Sequence, residues 1–250
     1  MNLLKSIFFN IFLAIWSLLV VPIVIIFAIL FPSTLIGHKL GRFWRLGMQF
    51  GMRFFLRIRY EVSGLENIPQ NEPCIFLANH QSAWETFCLQ DFLPKNRFAV
   101  FVLKQELLNI PLVGNGFAAL KMIAIDRKNI RSALKEVINQ GKQRLDAGFC
   151  VIIFPEGTRV KIGEIVKYQS SGVLLAMKSR YKIIPIAHNS GEFWGKSWKI
   201  TKSGVIQVKI GKAISPDDES VKNLSEKQIT QNISSWILEQ QKQISPDFYK

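Results

Sequence analysis

No acidic residue precedes Glu61, and no charge of either sign lies between Ser6 and Gly37. Cysteine is scarce: Cys74, Cys88 and Cys150 form an odd set with no C-x-x-C pair, each inside an apolar run. That excludes a disulfide framework and a paired-cysteine zinc site, and each thiol reads as a small buried hydrophobe. The chain has no internal repeat, no low-complexity tract, no glycine-rich phosphate loop and no G-x-S-x-G elbow. Helix-turn-helix, zinc-finger and RNA-recognition signatures are missing too. The net charge of +14 is therefore not read as a nucleic-acid footprint.

What is present is concentrated at one end. A length of 250 residues suits one α/β domain with an appendage. Hydrophobic residues make up 48% of the chain, most densely in its first quarter. Ile7 to Phe31 is interrupted only by Asn10, Ser17 and Pro22. As a helix it is about 37 Å long, against a bilayer core of roughly 30 Å. It is too long for a signal-peptide core and has no small-residue cleavage site. A straight span and a re-entrant dip kinked at Pro22 both fit. Over His38 to Tyr60, residues Arg42, Arg45, Gln49, Arg53 and Arg57 recur at helical spacing, flanked by Phe43, Trp44, Phe50, Phe54 and Phe55. That pattern predicts a basic amphipathic helix in the headgroup region, pairing with the apolar helix as a membrane-associated hairpin.

Beyond Tyr60 the pattern changes. The runs 74–78, 98–102, 122–125, 150–154 and 183–186 read as buried strands, and Asn129 to Ala147 as a helix stopped by Gly148. Alternating strands and helices predict an open, mainly parallel α/β sheet with helices on both faces. Ser225 and Gln228 form a capping box that opens a helix to about Gln241. The expected division is an anchor over 1–60, an α/β domain over 61–215 and a helical extension over 216–250.

In such sheets ligands bind beyond the carboxyl ends of strands, so motifs that directly follow strands carry the chemistry. After Ala78 comes Asn79-His80-Gln81-Ser82-Ala83-Trp84-Glu85. A histidine takes a proton from a hydroxyl at neutral pH, and a carboxylate on its other nitrogen fixes its tautomer. Residues five apart on one helix point about 140° away from each other, so His80 is expected in the loop and Glu85 in the first helical turn. Ser82 and Glu85 also read as a capping box, and the two roles are compatible. The run 150–154 leads into Pro155-Glu156-Gly157-Thr158-Arg159, where Gly157 allows a tight turn and Arg159 offers a fork suited to a phosphate monoester. Arg127 and Lys104 follow strands in the same way and could serve the same dianion, although each alone reads as a solvated charge.

Together these residues resemble the glycerophospholipid acyltransferase family, and within it the bacterial 1-acylglycerol-3-phosphate acyltransferases. The resemblance runs from about Gly64 to Ile210. His80 and Glu85 match its first motif, Ile125-Asp126-Arg127 the second, Phe154 to Arg159 the third in full, and Ile184-Pro185-Ile186 the fourth. The usual acid of the first motif is Asp, so Glu85 is a substitute one methylene longer. The resemblance implies transfer of an acyl chain from acyl-carrier protein or acyl-CoA to the sn-2 hydroxyl of lysophosphatidic acid, giving phosphatidic acid. His80 would be the general base with Glu85 orienting it, and Lys104, Arg127, Glu156, Gly157, Thr158 and Arg159 would hold substrate. No metal or cofactor is implied. The implied location is the inner membrane, with the catalytic domain on its cytoplasmic side. A related acceptor such as glycerol-3-phosphate is one alternative, and a catalytically silent membrane-binding protein is another. His188 reads as a satisfied structural histidine.

Overall fold

The computed structural model describes residues 3–32, 35–111, 113–196 and 200–249. The chain opens with two helices, α1 (Leu3–Leu30) and α2 (Ile36–Gly51), and a π-helical turn (Met52–Leu56). There follow β1 (Ile58–Ser63), β2 (Ile75–Ala78), α3 (Trp84–Cys88), β3 (Ala99–Lys104), α4 (Val113–Ala119) and β4 (Ile123–Ile125). The remaining elements are α5 (Ile130–Asp146), β5 (Cys150–Ile153), α6 (Ser171–Ser179), β6 (Ile183–His188), α7 (Ser190–Phe193), β7 (Gly204–Ile210) and α8 (Glu226–Ile244).

The strands form one seven-stranded sheet in the order β1-β7-β6-β2-β5-β3-β4. Every pairing is parallel except β6 with β7. Side chains alternate between the faces of the sheet. Phe76, Ala78, Cys150 and Ile152 join one core with Met48, Leu56 and Trp84 from the hairpin and α3. Ile75, Leu77, Val151 and Ile153 join a second core with Val137, Val173 and Ile233 from α5, α6 and α8. Helices thus cover both faces. On α8, Ile229, Ile233 and Ile237 recur every fourth residue and are buried. Each contributes about 1.5–3 kcal/mol of burial energy. The Ser225–Gln228 capping box is formed at its start, and Asn129 caps α5.

α1 and α2 run antiparallel, since Gly37 faces Ala28, Gly47 faces Trp16 and Gly51 faces Phe12. The Trp16 indole donates to Trp44 O at 2.9 Å, and the Trp44 indole to Ser17 Oγ at 3.2 Å. α1 is apolar enough over its best window to cross a membrane, with a mean hydropathy of 3.0. Its outer row, including Leu4, Phe8, Ile11, Ile15, Leu18 and Leu19, is exposed.

The helix expected over 38–60 ends earlier. The π turn breaks its register, Arg57 turns left-handed at φ 53°, and β1 begins at Ile58, inside the stretch assigned to the anchor. Arg45 also departs from the headgroup stripe. It is buried, because Asp91 behind α3 draws its guanidinium inward. A Cβ at Gly47 would lie 2.2 Å from the Trp16 ring. Gly47→Val should therefore push the two helices apart at a cost of about 1–3 kcal/mol. The expected result is a lower unfolding midpoint in detergent; an unchanged midpoint would count against the packing described.

Candidate active site

β2, β5, β3 and β4 are parallel neighbours, so the segments leaving their carboxyl ends converge on one edge of the sheet. His80 follows β2, the 154–159 segment follows β5, Lys104 ends β3 and Arg127 follows β4. A cavity of about 1210 Å³ opens there. Its lining includes His80, Lys104, Arg127, Glu156, Gly157, Thr158 and Arg159. Glu85 is not in the wall; it lies fully buried behind the imidazole.

His80 sits in the loop and Glu85 in the first turn of α3, with Nδ1 2.5 Å from Glu85 Oε2. The other carboxylate oxygen accepts from Gln81 N at 2.7 Å, Ser82 N at 2.6 Å and the Ser190 hydroxyl at 3.0 Å. The glutamate thus takes backbone donors of its own helix start while it holds the ring. Burial opposes its charge more than any other single effect. The neighbouring His188 and His80 and these donors outweigh it, holding Glu85 below the ordinary carboxylate range. An ionised carboxylate can only accept, so the shared proton resides on Nδ1 of His80. That leaves Nε2 as the basic nitrogen available to the cavity.

Three further contacts fix the ring. Phe154 stacks on it, with centroids 4.1 Å apart and planes inclined by 11°. The His80 N–H donates to Glu156 Oε2 at 2.5 Å, and His80 O accepts from Val160 N at 2.8 Å. Glu156 behaves oppositely to Glu85. Burial, with the Glu85 charge adding to it against the His80 N–H, pushes its pKa up to about 9, so it is neutral at pH 7. Gly157 closes the turn with φ +72°, a conformation side chains with a Cβ rarely adopt, and its N–H donates to Phe154 O at 3.0 Å. Arg127 Nη1 donates to Gly157 O at 2.5 Å, so part of that guanidinium props the turn. Among the described residues, neither Lys104 nor Arg159 has a carboxylate within ion-pair distance. Two cations without an internal counterion in one cavity suit an anionic ligand.

His188 is buried, and burial lowers its pKa, so it is neutral at pH 7. Its Nε2 lies 2.8 Å from the Asn79 carbonyl and carries the proton. Asn79 Nδ2 in turn donates to His188 O at 2.9 Å. This pair ties the loop after β2 to the end of β6, where Ser190 reaches Glu85. The contact of Ser190 with Glu85 is not legible in the sequence, since the two lie 105 positions apart.

The sequence model of the family described as Acyltransferase matches residues 59–189, more than half of the chain. A Pseudomonas aeruginosa protein named 1-acyl-sn-glycerol-3-phosphate acyltransferase is 44% identical over 190 residues, 76% of this chain and 71% of that protein. The human protein named 1-acyl-sn-glycerol-3-phosphate acyltransferase beta is 27% identical over 65% of this chain and 58% of its own length. The crystal structure of the Thermotoga maritima 1-acyl-sn-glycerophosphate acyltransferase PlsC superposes with a TM-score of 0.73. It is 24% identical and covers 97% of this chain and 95% of that one, a likeness of fold.

A neutral Glu156 makes stability depend on pH. The unfolded chain releases this proton in the ordinary carboxylate range, whereas the fold keeps it to about pH 9. Its contribution is complete below the unfolded pKa and is lost as pH rises toward the folded one. Denaturant unfolding between pH 6 and pH 9 should show a decline of up to about 1.4 kcal/mol per pH unit in the wild type. Glu156→Gln should flatten that decline; equal slopes in both proteins would refute the neutral carboxyl.

Proposed function

The chain belongs to the acyltransferase family, and on that premise we propose that it transfers an acyl chain from a thioester donor to the sn-2 hydroxyl of 1-acylglycerol-3-phosphate, giving phosphatidic acid. The observation that carries this reading is a single cavity holding a carboxylate-backed imidazole beside two cations, Lys104 and Arg159, that have no ion-pair partner among the described residues. In this mechanism Arg159, with Lys104 and Arg127, grips the acceptor's phosphate and brings its free hydroxyl to His80 Nε2. The imidazole takes the hydroxyl proton as the oxygen attacks the thioester carbonyl. A C–O bond forms, the C–S bond breaks, and the proton passes from the imidazolium to the leaving thiolate. Glu85 stabilises the imidazolium and keeps the reactive tautomer. Glu156, Gly157 and Thr158 shape the turn that presents Arg159. The donor is acyl-carrier protein or acyl-CoA, which share the same thioester.

The hairpin supports a place at the membrane, with α1 lying in one leaflet. Phe9 meets the Trp194 ring edge-on at 5.6 Å, and Ile25 lies against Gly116 of α4. These contacts, about 24 Å apart along the helix axis, both dock on the α/β layer, which favours a helix lying along one leaflet over one that crosses the bilayer. Arg53, Arg57 and Arg59 are exposed beside it, and no acidic residue precedes them. This favours the anionic cytoplasmic leaflet of the inner membrane.

Acyl transfer to lysophosphatidic acid, measured on purified membranes, tests the assignment. His80→Ala should lower kcat about a thousandfold or more. Glu85→Gln should lower it about a hundredfold or more through the wrong tautomer. Arg159→Ala should raise the acceptor KM about tenfold or more. A large fall in turnover with an unchanged acceptor KM would contradict the phosphate role of Arg159.

A further inference from the structure

The segment after α8 takes no part in the transfer chemistry, yet it touches the loop that holds the base. A short helical turn, Pro246–Phe248, follows α8 and leads to Tyr249. The Tyr249 hydroxyl oxygen accepts from Gln81 Nε2 at 2.9 Å and from Gln241 Nε2 at 2.8 Å. Gln81 is 3% exposed, and its Oε1 accepts from Gly191 N at 3.3 Å. The Gly191 N–H needs an oxygen, so the Gln81 amide cannot turn over, and Nε2 is left facing Tyr249. The fit against α7 is close, since a Cβ at Gly191 would lie 2.9 Å from Gln81 Cβ. The Gln81 side chain is therefore held from two sides, by α7 and by Tyr249.

What this side chain steadies is the geometry of the base. The Gln81 N–H donates to Glu85 Oε1 at 2.7 Å, and the residue before it is His80. The same segment also lies on the loop after β5. A Cβ at Gly163 would lie 2.5 Å from Phe248 O, and Gly163 follows Val160, whose N–H donates to His80 O. Without the Tyr249 hydroxyl, Gln81 Nε2 is a buried donor with no acceptor, and its side chain must move to find one. The Gln81 backbone moves with it, and Glu85 loses alignment with one of its donors. Misplacing a reacting group by about 1 Å costs about a hundredfold in rate, so a smaller shift is still felt in turnover. We propose that Tyr249 is a positioning residue for acyl transfer, fixing Gln81 and through it the alignment of Glu85 with His80. The inference rests on the transfer reaction named above. It concerns turnover and not binding, because neither Gln81 nor Tyr249 is among the described residues that line the cavity.

The test is steady-state transfer to lysophosphatidic acid by Tyr249→Phe, which keeps the ring and removes the hydroxyl. Its kcat should fall about tenfold, with the KM of acceptor and donor unchanged. In a Glu85→Gln background the same substitution should cost nothing further, because the alignment it maintains is already broken. Gln81→Met cuts the link from its other end and should reproduce the fall in kcat. Full kcat in Tyr249→Phe overturns the proposal, as does a raised KM with kcat intact. So does a tenfold loss that persists in the Glu85→Gln background, the result a merely structural role would give. Should Tyr249→Phe fail to fold, Gln81→Met at full kcat overturns the proposal in its place. Wild-type transfer to lysophosphatidic acid with Tyr249→Phe unaffected leaves the acyltransferase assignment standing; no transfer by the wild type removes both.

Discussion

The carboxylate of Glu85 is the constraint on which the rest of the site depends. A charge with no exposed surface is prohibitively costly unless every lone pair is engaged. Here four donors converge on it: His80 Nδ1, the N–H groups of Gln81 and Ser82, and the Ser190 hydroxyl. The loop after β2 must wrap around the carboxylate to bring three of those donors in, and the end of β6 must lie close enough to bring the fourth. The conformation of the loop, the start of α3 and the tautomer of the imidazole are therefore set together. The extra methylene of Glu over Asp is no defect in this setting, because one oxygen serves the helix start and the other serves the ring.

A second carboxyl holds the same residue in the opposite state. Glu85 engages the His80 ring and stays ionised, while Glu156 engages the His80 N–H and stays protonated. The difference follows from donors. Glu85 has four, whereas Glu156 has one and the Glu85 charge nearby. With Phe154 stacked on the ring, His80 is constrained at its backbone, its face and one nitrogen, and only Nε2 is left to act. The third motif therefore contributes to the position of the histidine as well as to the proposed phosphate site.

The parts of the fold legible in the sequence were those whose signal is local. Strands β2, β5 and β6 are runs of apolar residues buried on both faces, β3 and the edge strand β4 are short apolar runs less fully covered, and the starts of α5 and α8 carry their own caps. β1 and β7 carry no such run: β7 alternates buried and half-buried residues and β1 beyond Ile58 alternates exposed and half-buried ones, with Gln207 and Lys209 or Arg59 and Glu61 interrupting the apolar positions. Helical spacing of basic residues through Arg57 concealed the π turn, since periodicity in charge does not register a break in hydrogen bonding. Arg45 was read as a headgroup contact because nothing near it in sequence announces Asp91. Within the site, His80, Glu85 and the cations at strand ends were visible as motifs. Ser190 and the His188–Asn79 pair were not, because their role exists only once β6 lies beside β2.

The anchor and the catalytic wall are one element, and this bears on how a lipid reaches the histidine. Val21, Val24 and Ile25 line the cavity that holds His80, while the opposite row of α1 is exposed and apolar. Drawing a lysophospholipid out of the bilayer through water would expose its chain at about 0.8 kcal/mol per methylene, roughly 10 kcal/mol for a dozen. With α1 in the leaflet as proposed, a cavity walled by that helix would let the chain pass from leaflet to protein without that exposure. The basic flank of the hairpin would then draw the phosphate toward Arg159 while the chain stays in apolar surroundings. On this view the hairpin does more than tether the enzyme. The packing of α1 and α2 on the sheet decides whether acceptor and base meet, and displacing it would stop transfer even with His80 and Glu85 intact.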